Sequence, residues 1–231
     1  MSQIILITGT RKGIGRYLAE YYLSLENVVI GCSRFDSDLY HSNYKHFCLD
    51  IKDEKKVKDL FCYIKKTYGK LDILINNAGI ASLNHSILTP LSTVEKLFQT
   101  NVFGCFLFSR EASKLMKKNS FGRIINFSSI AVPINLEGEA IYAASKIAVE
   151  KLTKIMAKEV GNWGITINCI GPTPIDTDLI RAVPKNKIDK LLDQQAIKRL
   201  GSYGDVSNAI DFFIRKESSF ITGQIIYLGG L

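Results

Sequence analysis

The chain has 231 residues, of which 46% are hydrophobic and 23% charged, and its formal net charge is +8. This size and apolar fraction predict one large domain with a substantial core, and no apolar run is long enough to span a membrane. The first residues also lack the basic and apolar pattern of a signal peptide, so we expect a cytoplasmic protein that does not bind a membrane.

Five cysteines, at positions 32, 48, 62, 105 and 169, form no C-x-x-C pair. Their odd number and scattered positions predict buried free thiols in a reducing compartment. No cysteine and histidine spacing indicates zinc, so we predict no metal site.

Lysine-rich stretches carry the excess positive charge, and two interpretations stay open. The charge would suit an anionic partner such as nucleic acid, a phosphorylated metabolite or an acidic carrier protein. Acidic residues interleaved at helical spacing favour solvated helix faces instead. Because no Arg-rich tail is present, we predict no nucleic-acid binding.

Short β-branched runs alternate with amphipathic stretches along the chain. Strands are predicted over 3–9, 27–34, 45–51, 71–79, 122–129, 165–172 and 223–230. Helices are predicted over 14–25, 53–69, 92–118, 142–160 and 204–215, with a helical lid at about 178–200. Near-continuous apolar strands between helices indicate an α/β fold with a doubly wound parallel sheet covered on both faces. No linker divides the chain, so we predict a single domain over residues 1–231.

The first predicted strand ends in TGTRKGIG, residues 8–15, which puts three glycines between a strand and a helix. Glycines there allow a tight turn and let a diphosphate approach the free N–H groups of the helix N-terminus. The spacing differs from the common dinucleotide fingerprint, so a glycine-rich turn without a ligand stays an alternative. The residues predicted to bind a dinucleotide are Gly9, Arg11, Lys12, Gly13, Ile14 and Gly15.

The second predicted strand ends at Ser33 and Arg34, where an NAD site usually carries an acid for the ribose 2′-hydroxyl. Arg34 alone could be an exposed cation at the end of a strand. Together with Lys12 it favours a 2′-phosphate, since guanidinium groups bind phosphate in bidentate fashion. The sequence therefore favours NADP(H) over NAD(H).

These motifs resemble the short-chain dehydrogenase/reductase family when they are combined with NNAG at 76–79, Asn101, FSS at 127–129 and YAASK at 142–146. Tyr142 lies thirteen residues after Ser129, the interval usual in that family. The resemblance runs from residue 4 to the end. It implies a compact, single-domain, Rossmann-like oxidoreductase that transfers hydride between a nicotinamide and a carbonyl or secondary alcohol.

Three side chains are the predicted centre of the chemistry. Tyr142 and Lys146 stand one helical turn apart and project from the same side of a helix. A nearby ammonium stabilises a phenolate, so Lys146 is expected to bring the pKa of Tyr142 toward neutrality. Tyr142 would then donate a proton to the substrate oxygen, and Ser129 would hydrogen-bond the same oxygen. The resemblance also implies that Lys146 holds the nicotinamide ribose.

Asn101 interrupts an apolar helical stripe, and a buried amide needs hydrogen-bond partners. It is either a core asparagine bonded to local backbone or, as the resemblance implies, the holder of a water that relays protons toward Lys146.

The resemblance also implies less specific cofactor contacts from later strands. These residues are Asp50, Ile51, Asn77, Ala78, Gly79, Pro172, Ile175 and Thr177. Core packing is the alternative for those in apolar strands. Thr173 stands where the family commonly has glycine, which predicts a different loop over the nicotinamide. The polar segment 34–50 is expected to lack the usual helix.

Two substrate classes stay open. TDLIRAVP and AIKRLGSYGD resemble the lid of β-ketoacyl-acyl-carrier-protein reductases, and Arg181 matches a carrier-docking arginine of that subfamily. The second docking arginine is not matched, because Ser120 stands there, with Lys117 and Lys118 nearby. The alternative is a reductase or dehydrogenase of a sugar, polyol or other secondary alcohol.

A cofactor-binding regulator without catalysis is a third and weaker interpretation, because Ser129, Tyr142 and Lys146 are all present. The resemblance implies a homo-oligomer, a tetramer or dimer, that packs through the helices at about 92–118 and 142–160. The stripe of Ala144, Ala148, Leu152 and Ile155 could serve that contact or face its own sheet.

Overall fold

The computed structural model describes residues 2–175 and 185–230. Within them, seven parallel strands form one sheet in the order β3-β2-β1-β4-β5-β6-β7. The strands are β1 (Ile4–Thr8), β2 (Val28–Ser33), β3 (Tyr44–Cys48), β4 (Ile73–Asn76), β5 (Gly122–Phe127), β6 (Ile165–Gly171) and β7 (Ile225–Tyr227). The helices are α1 (Gly13–Ser24), α2 (Glu54–Tyr68), α3 (Leu91–Phe98), α4 (Cys105–Met116), α5 (Ala140–Val160), α6 (Lys185–Asp193) and α7 (Tyr203–Ile214). The predicted doubly wound α/β fold is confirmed.

Successive side chains of each strand point to opposite faces of the sheet, and this alternation divides the core in two. Leu6 packs with α2, α4 and α5 on one face. Its neighbours Ile5 and Ile7 pack with α1 and α7 on the other face. Because both faces are covered, the central strands β1 and β4 are fully buried and largely apolar, whereas the edge strand β3 is only partly buried.

The order of the strands fixes where a ligand can bind. The chain moves from β1 outward to β2 and β3, and then returns to pair β4 with the other side of β1. The connections after β1 and β4 therefore leave the sheet in opposite directions. A crevice opens between them at the carboxyl edge, where open α/β sheets bind their ligands.

The segment predicted as one helix over 92–118 is interrupted. Helix α3 passes into a π-helical turn over Gln99–Gly104 before α4 begins. The apolar stripe suggested an unbroken helix, since a single wide turn leaves almost no trace in the hydrophobic pattern. The segment 34–43 contains no helix, as expected.

Two of the five cysteines do not fit the prediction of buried thiols. All five are free, but Cys48 and Cys62 are exposed, at the end of β3 and on the outer side of α2. Asp72 accepts a hydrogen bond from the Ile4 backbone N–H at 2.8 Å and so joins the start of β4 to β1. No helix among the described residues is both long and apolar enough to cross a bilayer.

The packing of Phe108 gives a test of the core. Its side chain is fully buried between α4 and α2, in edge-on contact with Phe61. Phe108→Ala should lower the free energy of unfolding by about 3–5 kcal/mol, because it removes apolar contact and leaves a cavity. Denaturant unfolding measures the change. Phe220→Ala is the matched control, because Phe220 is 99% exposed and its loss should leave the unfolding free energy nearly unchanged.

Candidate active site

The loop between β1 and α1 forms a cradle of bare backbone. Gly9 and Gly13 have φ angles of 78° and 61°, in the region that favours glycine. A Cβ atom on Gly15 would lie 2.3 Å from the Gly9 carbonyl oxygen, so position 15 has no room for a side chain. The N-terminus of α1 thus stays open to an anion, and the cradle fits the diphosphate of a dinucleotide.

The end of β4 closes the other side of the crevice. The Asn77 side-chain amide donates to the Thr8 carbonyl oxygen at 2.8 Å. The Ala78 backbone N–H donates to the Thr8 hydroxyl at 2.9 Å. These bonds hold Asn77 and Ala78 against the glycine loop, while Gly79 is exposed beside it.

Helix α5 and strand β5 bring the predicted catalytic residues together. The Lys146 ammonium is buried, donates to the Phe127 carbonyl oxygen at 2.9 Å and lies 5.8 Å from the centre of the Tyr142 ring. Ser129 follows β5, and its hydroxyl lies near enough to the Tyr142 phenol to act on the pKa of that phenol. Ser129, Tyr142 and Lys146 therefore converge at the carboxyl edge of the sheet.

The ionisation of this group differs from the expectation. Burial raises the pKa of Tyr142 from 10.0 to about 12, and the nearby Ser129 hydroxyl opposes this rise. Burial also lowers the pKa of Lys146. The prediction that Lys146 brings the pKa of the phenol toward neutrality is wrong, because burial dominates at the phenol and the ammonium donates to the Phe127 carbonyl.

Asn101 lies in the π-helical turn and is almost completely buried. Its Oδ1 accepts from the Ile80 N–H at 2.9 Å, and its Nδ2 donates to the Ile80 carbonyl and to the Ser145 hydroxyl at 2.9 and 3.0 Å. Asn101 is thus a hydrogen-bonded core asparagine, but its partners are 21 and 44 residues away and not the local backbone that was expected. It also lies at the site, because a Cβ atom on Gly79 would be 3.3 Å from its Oδ1 and 3.4 Å from the Lys146 ammonium.

The end of β2 carries the cations predicted to select the cofactor. Arg11, Lys12 and Arg34 are exposed at the mouth of the crevice, and Ser33 is half-buried beneath them. The guanidinium groups of Arg11 and Arg34 lie 5.2 and 6.0 Å from the centre of the exposed Phe35 ring.

The remaining predicted residues lie farther from this centre or serve the core. Ile51 packs against Gly104 of the π-helical turn, and Ile175 is buried in the core on the α1 side. Asp50 lines a cavity of about 730 Å³ beside the turn. The Pro172 carbonyl accepts from the Ile130 N–H at 3.3 Å. Ile14 packs against the core at the start of α1, whereas Thr177 and Arg181 lie outside the described residues.

Several residues that hold the site were missed in the sequence. Glu150 is buried one turn beyond Lys146 and accepts from the hydroxyl groups of Ser128 and Tyr227. This carboxylate therefore fixes the residue before Ser129. Tyr44 and His46 lie on one side of β3 and bond to Thr10 and Ser33. The alternation of Tyr44 and His46 along β3 was the available signal.

Comparison with known proteins places these features in a family. A family model described as "Enoyl-(Acyl carrier protein) reductase" matches residues 10–230. The 3-oxoacyl-(acyl-carrier-protein) reductase FabG of Escherichia coli (strain K12) is 32% identical over 234 residues, which cover 99% of this chain and 96% of that protein.

Solved structures give the same result. ElxO with NADP bound superposes with a TM-score of 0.91 at 32% identity, covering 99% of this chain and 97% of that one. Ligand-free aldohexose dehydrogenase of Thermoplasma acidophilum has a TM-score of 0.91 at 30% identity, with coverage of 100% and 94%. The chain belongs to the short-chain dehydrogenase/reductase family, whose members are oxidoreductases that act on alcohol and carbonyl groups.

Proposed function

We propose that this oxidoreductase uses NADPH to reduce the 3-oxo group of an acyl thioester carried by an acyl-carrier protein. The observation that carries the proposal is the convergence of Ser129, Tyr142 and Lys146 beside the glycine cradle. The name of the E. coli relative supports the substrate class.

The charges around the end of β2 support NADPH. Ser33 replaces the acid that would bind a ribose 2′-hydroxyl, so no carboxylate repels a 2′-phosphate at that position. Arg11, Lys12 and Arg34 supply positive charge at the same end of the crevice. ElxO, the structural neighbour with 32% identity, has NADP bound.

The bound cofactor would supply hydride to the substrate carbon. The developing negative charge on the carbonyl oxygen would be met by the hydroxyl groups of Ser129 and Tyr142. Tyr142 would transfer its proton to that oxygen, and Ser129 would hold the oxygen in reach of the phenol. Lys146 is buried, and its ammonium donates a direct hydrogen bond to the Phe127 carbonyl.

Lys146 and Asn101 would return a proton to Tyr142 after each reaction. Both Asn101 Nδ2 hydrogens are used by Ile80 and Ser145, whereas within the described part of the chain Oδ1 accepts one bond, from the Ile80 N–H, and can accept a second. A water bonded to the free lone pair of Oδ1 would lie on the Lys146 side of Gly79. This arrangement supports the proton relay expected from the family resemblance.

Apolar side chains near the crevice favour an acyl substrate. Leu83 is within van der Waals reach of Gly138, four residues before Tyr142. The same loop exposes Ile87, Leu88 and Leu91. A sugar would need polar partners in this place, whereas an acyl chain gains from apolar contact. The net charge of +8, with Lys117 and Lys118 after α4, suits an acidic carrier.

Oxidation or reduction of a sugar or polyol is the second candidate. It is favoured by the likeness to an aldohexose dehydrogenase, with a TM-score of 0.91. The absence of the second carrier-docking arginine also fits this candidate better than the first. Ser120 occupies that position, in a left-handed turn with φ of 50°.

A homo-oligomer is also part of the proposal. Phe103 and Phe106 are exposed on the π-helical turn and α4, and Ile147 and Ile155 are exposed on α5. Ala148 and Leu152 from the predicted stripe pack instead against Val102 and Cys105 of the same chain. The exposed apolar groups on these neighbouring helices suit contact with further copies, as a dimer or tetramer.

The glycine cradle gives a test of cofactor binding. Gly15→Ala should weaken NADPH binding about tenfold or more, because the new Cβ forces the Gly9 carbonyl away and distorts the cradle. Titration of protein fluorescence with NADPH measures the dissociation constant. Gly161→Ala is the control, because a Cβ there meets nothing within 4 Å and should leave affinity unchanged.

The substrate class is tested by NADPH consumption with an acetoacetyl thioester, a panel of simple ketones, and sugars. We expect the thioester to be reduced with a kcat/KM about tenfold or more above the best ketone or sugar. Tyr142→Phe should abolish turnover and keep NADPH binding, since it removes the proton donor only. Turnover of an aldose with no reduction of the thioester would contradict the proposed substrate, and full activity of Tyr142→Phe would contradict the mechanism.

The pKa of Tyr142 gives a test by pH. Reduction needs the protonated phenol, and with a pKa of about 12 this form persists through neutral and moderately alkaline solution. Oxidation of the alcohol needs the deprotonated phenol, so its rate should rise about tenfold per pH unit as pH increases toward that pKa. Rates in both directions from about pH 7 to pH 10 measure this difference. An oxidation rate that is flat or falls over this range would show that another group accepts the proton.

A further inference from the structure

A hydrogen-bonded network at the ends of β1, β2 and β3 lies beside the cations named above. The Tyr44 hydroxyl donates to the Thr10 hydroxyl at 2.9 Å and lies 2.9 Å from Nδ1 of His46. Nε2 of His46 lies 3.1 Å from both the Ser33 hydroxyl and the Phe35 carbonyl oxygen. One imidazole thus connects the glycine loop to the segment 33–35.

The partners of His46 determine which nitrogen carries its hydrogen. The Phe35 carbonyl can only accept, so Nε2 donates to it. Nδ1 then accepts, and the Thr10 hydroxyl, 3.4 Å away, has a hydrogen to donate to it. Ser33 also donates to the Phe35 carbonyl, at 2.5 Å. The Phe35 carbonyl is therefore held by two donors, and the turn that follows β2 is fixed.

The network requires a glycine at position 31, because a side chain there would overlap it. A Cβ atom at this position would lie 2.3 Å from the Tyr44 hydroxyl and 2.4 Å from the Thr10 hydroxyl. Thr10 is fully buried, and its backbone N–H donates to the Cys32 carbonyl at 3.3 Å. The Tyr44 and Thr10 hydroxyl groups thus come into contact beside Gly31, where no side chain separates them. This contact keeps β3 close to the end of β1.

The network ends at a platform formed by the Phe35 ring. The guanidinium groups of Arg11 and Arg34 lie over this ring at 5.2 and 6.0 Å. The nearby acids are engaged elsewhere, since Asp36 accepts from the Cys48 thiol and Asp38 pairs with Arg16. Among the described residues, neither Arg11 nor Arg34 forms an ion pair. Two guanidinium groups held over one ring, neither in direct contact with a described carboxylate, provide positive charge for an anionic ligand.

We propose that His46 is a positioning residue for the choice of NADPH over NADH, because it fixes the turn that presents Phe35, Arg11 and Arg34 to the 2′-phosphate. The inference rests on the proposed use of NADPH. It adds a residue from β3 to a selection that the sequence assigned to the ends of β1 and β2. Because NADH has no 2′-phosphate, its binding should depend little on this platform.

The test compares dissociation constants for NADPH and NADH in three variants. His46→Leu removes both ring nitrogens and should weaken NADPH binding about tenfold, with NADH binding changed less than about twofold. His46→Gln keeps an N–H donor near the position of Nε2 and should restore most of the NADPH affinity. Phe35→Leu should also weaken NADPH binding selectively, and this exposed position carries little risk to folding.

His85→Leu is the matched control, since His85 is exposed in the loop before α3 and should change neither constant. Thermal unfolding of each variant verifies the fold. An equal loss of NADPH and NADH affinity in His46→Leu, or an unchanged ratio in both His46→Leu and Phe35→Leu, would overturn the inference. The unmodified protein tests the proposed cofactor separately: if it prefers NADH or binds neither, the proposed function fails and the inference fails with it.

Discussion

The candidate active site depends on the hydrogen bond from the buried Lys146 ammonium to the Phe127 carbonyl. A charged donor without water must keep a partner inside the protein, because an unpaired buried charge costs several kcal/mol. The bond therefore fixes helix α5 against the end of β5, at the step where the chain continues to Ser128 and Ser129. Glu150 strengthens the same junction through Ser128 and Tyr227. The relative position of phenol, ammonium and serine hydroxyl follows from this junction rather than from contacts among the three groups.

Much of the fold and the centre of the site could be predicted because their signals are local. Strands buried on both faces read as apolar runs, the glycines of the first loop are adjacent in sequence, and Tyr142 and Lys146 are one helical turn apart. The network around His46 could not be predicted, since Thr10, Ser33 and Tyr44 meet only when three strands pair. The pKa of Tyr142 depends on burial and on where the Lys146 ammonium points, and sequence spacing reports neither.

The loop after β6 shows how a departure from the family pattern is accommodated. Thr173 replaces the usual glycine, is buried, and donates a hydrogen bond to the Gln195 side chain just beyond α6. Backbone bonds from Ala196 and Ile197 to Gly230 and Gly229 tie the same segment to the end of the chain. A side chain that glycine lacks thus joins this loop to the segment that follows α6.

The π-helical turn over Gln99–Gly104 determines what a single-residue deletion between α3 and α4 would change. A turn with i→i+5 bonding holds one residue more than an α-helix, and one residue corresponds to about 100° of rotation. Helix α3 packs its apolar side against α5. Helix α4, which continues the same helical segment, packs its apolar side against α2 and β4. Deleting a single residue here would convert α3, the π-helical turn and α4 into one regular α-helix. The wide turn that holds Asn101 would be lost, whereas α4 would keep the orientation that packs Phe108 against Phe61 of α2.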